Sequence, residues 1–560
     1  MLALTPIDVG LVMDKVLPQR FLPFALCLFA FVVSAALAWD SVFWRWIAAI
    51  SGVLCVLGVI DVTATRHTLR RNFPVTAHLR TFFEYFRPML RQYVVESDYE
   101  EVPFSHVQRS IAYQRAKNVL DKRPFGTELD VYATQYEWIN HSLAPAKIDS
   151  HDFRITIGGP QCAHPYSASV FNISAMSFGS ISPNAIRALN EGARRGRFYH
   201  DTGEGSLSPY HRENGGDIVW ELGSGYFGCR NAAGGFDEAR FVEKATLAQV
   251  KMIEIKLSQG AKPGHGGVLP APKVSAEIAA TRGVAMGEDC VSPAAHSTFS
   301  TPLGLLEFVA RLREKSGGKA TGFKLAIGHP WEWFGVAKAM QQSGIYPDFI
   351  VVDGGEGGTG AAPLEFTDHV GAPLREALLL VHNTLVGLSL RQHIRIGASG
   401  KVITAIDIAR TLALGADWCN AARGFMFALG CIQSLNCHTD RCPTGVATQD
   451  PSRWKKLDVP DKSERVKMFH ENTLKALKEL IAAAGLRHPD EIGPEHVIRR
   501  VSSTEVRSLS ALYPFVKPGE LIDGLPEHAV FRVFWEASRA DSFAPPRTVL
   551  DAHHTRARSG

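Results

Sequence analysis

The chain has 560 residues, 46% hydrophobic and 21% charged, which is long for a single barrel and describes a globular protein of two or three modules with a large core. A formal net charge of +4 over that length, with no stripe of interleaved aromatic and basic residues, excludes nucleic acid as an expected partner. The nine cysteines form an odd, scattered set, with Cys27 and Cys55 in apolar segments, and this excludes a disulfide framework.

The first predicted element is an N-terminal helical transmembrane hairpin. Phe21 to Trp39 is apolar apart from Ser34, and after Asp40 and Ser41 a second apolar stretch runs to Ile60, broken only by Arg45 and small polar residues. Two short spans are expected, with Trp39, Trp44 and Trp46 clustered at the turn as an interfacial belt. Lys15 and Arg20 precede the first span and Arg66, Arg70 and Arg71 follow the second. That bias places both ends, and with them the rest of the chain, on the cytoplasmic side of the inner membrane. A cleaved signal peptide ending at Ala36-Leu37-Ala38 competes with this reading, but cleavage there would leave the second stretch as an anchor. Two buried helices of a soluble domain are the other alternative. Residues 1–75 are thus read as the anchor. Residues 76–150 are read as a basic lead-in, where Phe82, Phe83, Tyr85 and Phe86 stand beside Arg80 and Arg87 and no chemistry is legible.

From about residue 150, short apolar runs ending in Gly, Ser or Asp alternate with helical patterns, as parallel β/α units do. The expected strands are Phe171 to Met176, Arg197 to Asp201, Met252 to Leu257, Cys290 to Ser292, Phe323 to Ile327, Phe349 to Asp353, Ile394 to Gly397 and Trp418 to Ala421. Helices are expected between them, for instance Pro183 to Arg195, Pro302 to Lys315, Trp331 to Ser343 and Thr404 to Leu414. The expected fold class is α/β, a (β/α)8 TIM barrel over residues 151–490 followed by a C-terminal extension over 491–560, with its site in the loops after the strands.

Those loops are glycine-rich: Ser177-Phe178-Gly179-Ser180, Thr202-Gly203-Glu204-Gly205-Ser206, Lys262 to Gly267, Gly354 to Gly360, and Ala398-Ser399-Gly400. Glycine at this density lets backbone amides approach a phosphate or a ring. For any one loop a tight turn explains it as well, but five at one end of a barrel point to a bound cofactor. Gly355, Gly357 and Gly360 also fit a dinucleotide fingerprint, which Pro363 and Pro373 speak against because the fingerprint should open a long helix. Last in chain order come Cys431, Cys437 and Cys442, with Pro443 after them. Three thiolates in one short loop can hold an iron-sulfur cluster, whereas buried free thiols are the plainer alternative. Such a cluster prefers a reducing compartment.

Taken together, Ser174 to Ser182, Thr202-Gly203-Glu204-Gly205, Gln259 to Gly264, Gly357 to Ala361, and Ala428 to Cys431 through Cys442 to Gln449 resemble the flavin domain of glutamate synthase, within the family of short FMN-binding glutamate synthase-like proteins. The resemblance implies FMN and a 3Fe-4S cluster, the latter on Cys431, Cys437 and Cys442. It implies that Lys324 stabilises the anionic flavin near N1, although a strand lysine can also be a core ion pair. Ala175, Met176, Ser177, Asp353, Gly354, Gly355, Gly358, Thr359, Gly360, Ser399, Gly400 and Gly424 would seat the ring and phosphate. Glu204, Lys256, Lys262 and Arg282 match the family's substrate pocket, and with Lys324 these residues (Lys256 apart) form the implied catalytic set. His265 and Val268 stand where the family usually has Glu and Gln, which leaves the identity of the oxo acid open.

The implied reaction reduces a 2-imino acid, formed from 2-oxoglutarate or a related oxo acid and ammonia or an amine, to glutamate. Glutamate synthases carry an amidotransferase domain whose first residue is a nucleophilic cysteine, whereas this chain reads Met1-Leu2-Ala3 into an apolar segment. No glutaminase activity is therefore expected of the chain itself, and a separate glutaminase could supply ammonia. No nicotinamide domain is read either, so electrons are expected from a ferredoxin-like protein, a partner subunit or a membrane carrier. Competing readings are an electron-transfer flavin/iron-sulfur subunit of a membrane complex without its own amination chemistry, and a barrel that only binds flavin.

Overall fold

The computed structural model describes residues 19–64, 68–99, 103–119, 122 and 124–546, so Lys15 and Arg66 lie outside the described residues. The chain divides into two compact units, Met1–Glu100 and Glu101–Gly560. The division falls inside the expected lead-in.

In the first unit, helices Leu22–Leu37 and Val42–Thr63 pack together as a hairpin. Their contact depends on small residues: a Cβ on Gly58 would lie 2.1 Å from the Phe24 ring, and one on Gly52 3.0 Å from Phe31. Ser34 and Ser51 each donate to a carbonyl one turn back at 2.6 Å, so their hydroxyls need no water. Phe29, Val32, Trp46, Ile50 and Val53 face outward, more than half exposed. Of the two expected spans only Val42–Thr63, with 22 residues, is long and apolar enough to cross a bilayer; Leu22–Leu37 has 16. At 1.5 Å per residue the shorter helix reaches about 24 Å, less than the hydrocarbon core of about 30 Å.

In the second unit, eight parallel strands close into a barrel in chain order: β1 (Phe171–Ile173), β2 (His200–Asp201), β3 (Ile218–Leu222), β4 (Val250–Lys256), β5 (Ala320–Leu325), β6 (Phe349–Asp353), β7 (Arg395–Ser399) and β8 (Trp418–Ala421). Seven of the eight expected runs overlap these strands, with the strands ending at Lys256, Leu325 and Ser399 displaced by one to three residues. The exception is Cys290 to Ser292, whose Cys290–Val291 pairs antiparallel with Val268–Leu269 outside the barrel. Its place is taken by β3, whose five residues are all buried. The acidic Glu221 in its middle disguises this run as amphipathic, although the carboxylate points into a charged layer of the barrel. The expected first strand also runs too far, because Ser174 to Met176 already belong to the loop.

Helices cover the barrel. The 25-residue helix Val459–Ala483 packs on Pro183–Gly196, where Gly192 lets the backbones approach: a Cβ there would meet Val466 at 2.5 Å. Helix His106–Ala116 packs on the same long helix. Strands Val497–Arg500 and Val506–Ser508 join Glu137–Ile139 in a three-stranded sheet, so lead-in and C-terminal extension meet at one place.

Candidate active site

A cavity of about 1070 Å³ opens at the C-terminal mouth of the barrel. Ala175, Ser177, Glu204, Lys256, Lys262, Lys324, Asp353, Gly355, Gly358, Thr359, Gly360, Ser399, Gly400 and all three of Cys431, Cys437 and Cys442 line it. A smaller adjoining cavity of about 130 Å³ is walled by Met176 and Arg282. Two of the expected cofactor residues, Gly354 and Gly424, line neither. Packing also constrains both positions: a Cβ on Gly354 would lie 2.6 Å from Leu374 Cβ, and one on Gly424 would press on the Phe469 ring at 3.0 Å.

The strand ends are tied together beneath the glycine loops. Asp353, at the end of β6, accepts from the Gly260 amide at 3.0 Å and from the Ser399 hydroxyl at the end of β7. Arg423 donates to the Thr359 carbonyl at 2.6 Å, and Cβ atoms on Gly358 and Gly360 would have, respectively, the Arg423 guanidinium and the Cys437 Cβ as nearest neighbours. A wall of bare backbone next to a guanidinium suits the ring and phosphate of FMN.

Three cations surround one acid in the pocket. Lys256 Nζ lies 3.1 Å from Glu204 Oε1, and the Ser292 hydroxyl donates to Oε2 at 3.1 Å. Burial would raise the Glu204 carboxyl, but Lys256, Arg282 and Lys262 outweigh it and hold it down at about 2. Lys262 donates to the Ala361 carbonyl at 3.0 Å, and burial lowers its ammonium despite Glu204. Arg282 donates to the Phe178 carbonyl at 2.7 Å, while its buried Nε finds no hydrogen-bond partner among the described residues. One acid against three cations leaves a surplus of positive charge, which suits a dicarboxylate. His265 and Val268 also line the cavity, and the His265 ring packs edge-on against Phe366, 5.3 Å between centroids.

Lower in the barrel, Lys324 stands in a charged layer that the sequence did not announce. Glu221 and Glu254 are register partners on β3 and β4, and Lys324 Nζ bonds Glu221 and lies 3.1 Å from Glu254. Ligand oxygens of Asp201, Glu221 and Glu254 all fall within 4.8 Å of one another. Burial disfavours the Lys324 ammonium, yet these carboxylates overcome it and push its titration well above the ordinary range. Burial lifts Glu254 to about 7 against the pull of Lys324, and lifts Asp201 well above the usual carboxylate range with Glu254 adding to the effect. Burial thus favours the neutral forms of both acids in this layer. Lys324 is an ion-pair partner and a cavity residue at once, so the charge it presents to a ligand depends on how many of these acids are protonated.

The cysteine loop starts where helix Arg423–Leu429 stops at Gly430, whose φ of 103° glycine tolerates. Burial raises the Cys431 thiol to about 11, and Cys437 and Cys442 act on it electrostatically, as near neighbours do. Burial opposes ionisation of Cys442 too, but amides of Ala447, Thr444 and Val446 and the Thr444 hydroxyl lower it. Three thiols on one cavity wall are the donor set that a 3Fe-4S cluster takes. Sequence reasoning passed over Lys273. Its buried ammonium donates to the carbonyls of Ser180 at 3.1 Å, Cys437 at 3.2 Å and Ala447 at 3.4 Å, joining the loop after β1 to the cysteine loop. A lone lysine among Leu269, Pro270, Ala271, Pro272 and Val274 was the available signal.

Comparison with known proteins shows the family. A conserved region in glutamate synthase matches residues 146–487. The glutamate synthase large subunit-like protein YerD of Bacillus subtilis is 36% identical over 514 residues, 83% of this chain and 97% of that protein. The archaeal glutamate synthase (NADPH) of Methanocaldococcus jannaschii is 36% identical over 315 residues, 56% of this chain and 58% of that one. Among solved structures, a mutant flavocytochrome b2 with pyruvate bound is similar at 12% identity and a TM-score of 0.38, covering 83% of this chain and 93% of that chain, which adds nothing to the assignment. With more than half of its length matched to that conserved region and a full-length relative at 36% identity, the chain belongs to the glutamate synthase family and is a glutamate synthase-like oxidoreductase.

Proposed function

We propose that the protein is a membrane-tethered FMN and 3Fe-4S oxidoreductase that reduces a 2-imino acid, formed from 2-oxoglutarate or a related oxo acid and ammonia or an amine, to the amino acid. The observation that carries this reading is that residues of the glycine loops, the three cysteines, Glu204, Lys256 and Lys262 line one cavity, with Arg282 on the cavity adjoining it. When bound, FMN supplies a hydride to the imine carbon and the cluster supplies electrons one at a time.

The chain's own residues do the rest. Lys256, Lys262 and Arg282 bind the carboxylates. Glu204 fixes Lys256 and keeps the cations from repelling one another. Asp353, Ser399 and the Gly358 to Gly360 segment form the cofactor cradle, and Cys431, Cys437 and Cys442 the cluster seat. Nitrogen would come as ammonia, from a separate glutaminase or as an amine, and electrons from a ferredoxin-like protein or partner subunit. The outward apolar faces of the hairpin and the 22-residue helix support a membrane tether, and Arg20 before the hairpin with Arg70 and Arg71 after it favours the cytoplasmic side for the second unit.

The alternative, an electron-transfer subunit without amination chemistry, draws on His265 packed on Phe366, which offers no carboxylate or amide to a substrate. Full-length protein in detergent, reduced under anaerobic conditions, separates the two. Rapid reoxidation by 2-oxoglutarate with ammonium, and glutamate as product, is expected. A protein that holds flavin and iron yet is oxidised by no oxo acid and amine pair would favour the alternative.

A further inference from the structure

The helix that follows the hairpin, Ala77–Leu90 continued through the π-helical turn Arg91–Val95, is strongly two-faced. Leu79, Phe82, Phe83, Phe86, Leu90, Tyr93 and Val94 recur at three- and four-residue spacing and so share one face. Leu79 is 60% exposed, Phe83 59% and Val94 75%. Arg80, Arg87 and Arg91 run along one edge of that face, and with Phe83, Leu90 and Val95 they line a shallow groove; the only acid there, Glu84, pairs with Arg80 at 2.7 Å. The start of the helix is fixed to the end of the bilayer-length helix: Asp61, buried near the end of Val42–Thr63, accepts from the Val75 amide at 3.0 Å and from His78 Nε2 at 2.9 Å.

Resting on the tethered reading above, we infer that residues 77–95 form an interfacial foot. The foot lies in the headgroup layer of an anionic bilayer, with its aromatic face at the acyl boundary and its arginines on lipid phosphates. Two observations select lipid over a second copy or the catalytic unit. The Asp61 contacts put the first turn at the level where the spanning helix leaves the hydrocarbon, and the arginine edge complements phosphate. Trp39, Trp44 and Trp46 would mark the opposite interface, so the cytoplasmic one gains its aromatics from this helix.

The test uses the full chain in nanodiscs that mix phosphatidylcholine and phosphatidylserine, with a photoreactive benzoylphenylalanine installed at Phe83. Lipid adducts enriched in phosphatidylserine are expected, and Arg87→Gln should cut that enrichment by about fivefold, the effect of one arginine near an anionic surface. Cross-links to residues beyond Glu100, cross-linked dimers, or no adduct at all would each overturn the foot. Carbonate extraction of the same protein from membranes keeps the two readings apart. A chain that carbonate removes refutes the tether, whereas a chain that stays but yields no lipid adduct refutes only the foot.

Discussion

Replacing Glu204 by Gln removes the one acid that three cations, Lys256, Lys262 and Arg282, share. A carboxyl that titrates at about 2 in place of its ordinary 4.5 stabilises the folded state by about 3 kcal/mol at neutral pH, because its charged form is favoured in the fold and not in the open chain. That contribution is complete above roughly pH 4.5 and disappears as the pH falls through about 2. An unfolding entropy of about 2 cal/mol/K per residue over the unit from Glu101 to Gly560 converts the loss to about 3 °C in melting midpoint. Calorimetry on wild type and Glu204→Gln should show that difference at pH 7 and less than half of it at pH 3. On the proposed assignment of Glu204 to the substrate pocket, flavin and iron content should not change. A difference that is absent at pH 7, or that keeps its size to pH 3, would refute the reasoning that the cations depress this acid.

Three other substitutions test neighbouring parts. Lys273→Met should lower iron content and shift the cluster's reduction potential downward in an EPR-monitored titration, and Lys273→Arg should restore the potential more than the iron; an unmoved potential would leave Lys273 a packing residue. Glu254, raised to about 7, stabilises the fold at low pH and loses that contribution as the pH rises from roughly 4.5 through 7, so Glu254→Gln should gain on wild type across that window in calorimetry. Gly192→Ala, whose new Cβ would meet Val466 at 2.5 Å and the Ser463 carbonyl at 2.8 Å, should cost about 1–3 kcal/mol by overpacking and leave flavin content intact.

Period and punctuation made most of the barrel legible, since a parallel strand buried on both faces reads as an apolar run that stops at Gly, Ser or Asp. That rule fails where a strand carries charge inward. Glu221 hid β3, and the same layer kept Asp201 and Glu254 from being recognised as partners of Lys324. The Cys290 run misled because two residues in a loop hairpin and a short barrel strand look alike without their pairing partners. At the site, the residues named by family resemblance mostly meet in one cavity. Met176 and Arg282 line the cavity beside it, and Gly354 and Gly424 line neither; a glycine needed for backbone approach and one needed for a ligand look the same in sequence. Lys273 escaped notice because its partners are backbone carbonyls from loops far apart in the chain. The first apolar helix came out shorter than its composition suggested, ending at Leu37 ahead of Trp39 and Asp40.

The most direct measurement is the cofactor content of wild type and Cys437→Ser chains purified without oxygen. About one FMN and about three iron atoms per wild-type chain are expected, with the variant losing iron and keeping flavin. A colourless, iron-free wild type, or a variant with unchanged iron, would contradict a flavin and a three-thiolate cluster sharing the mouth of this barrel.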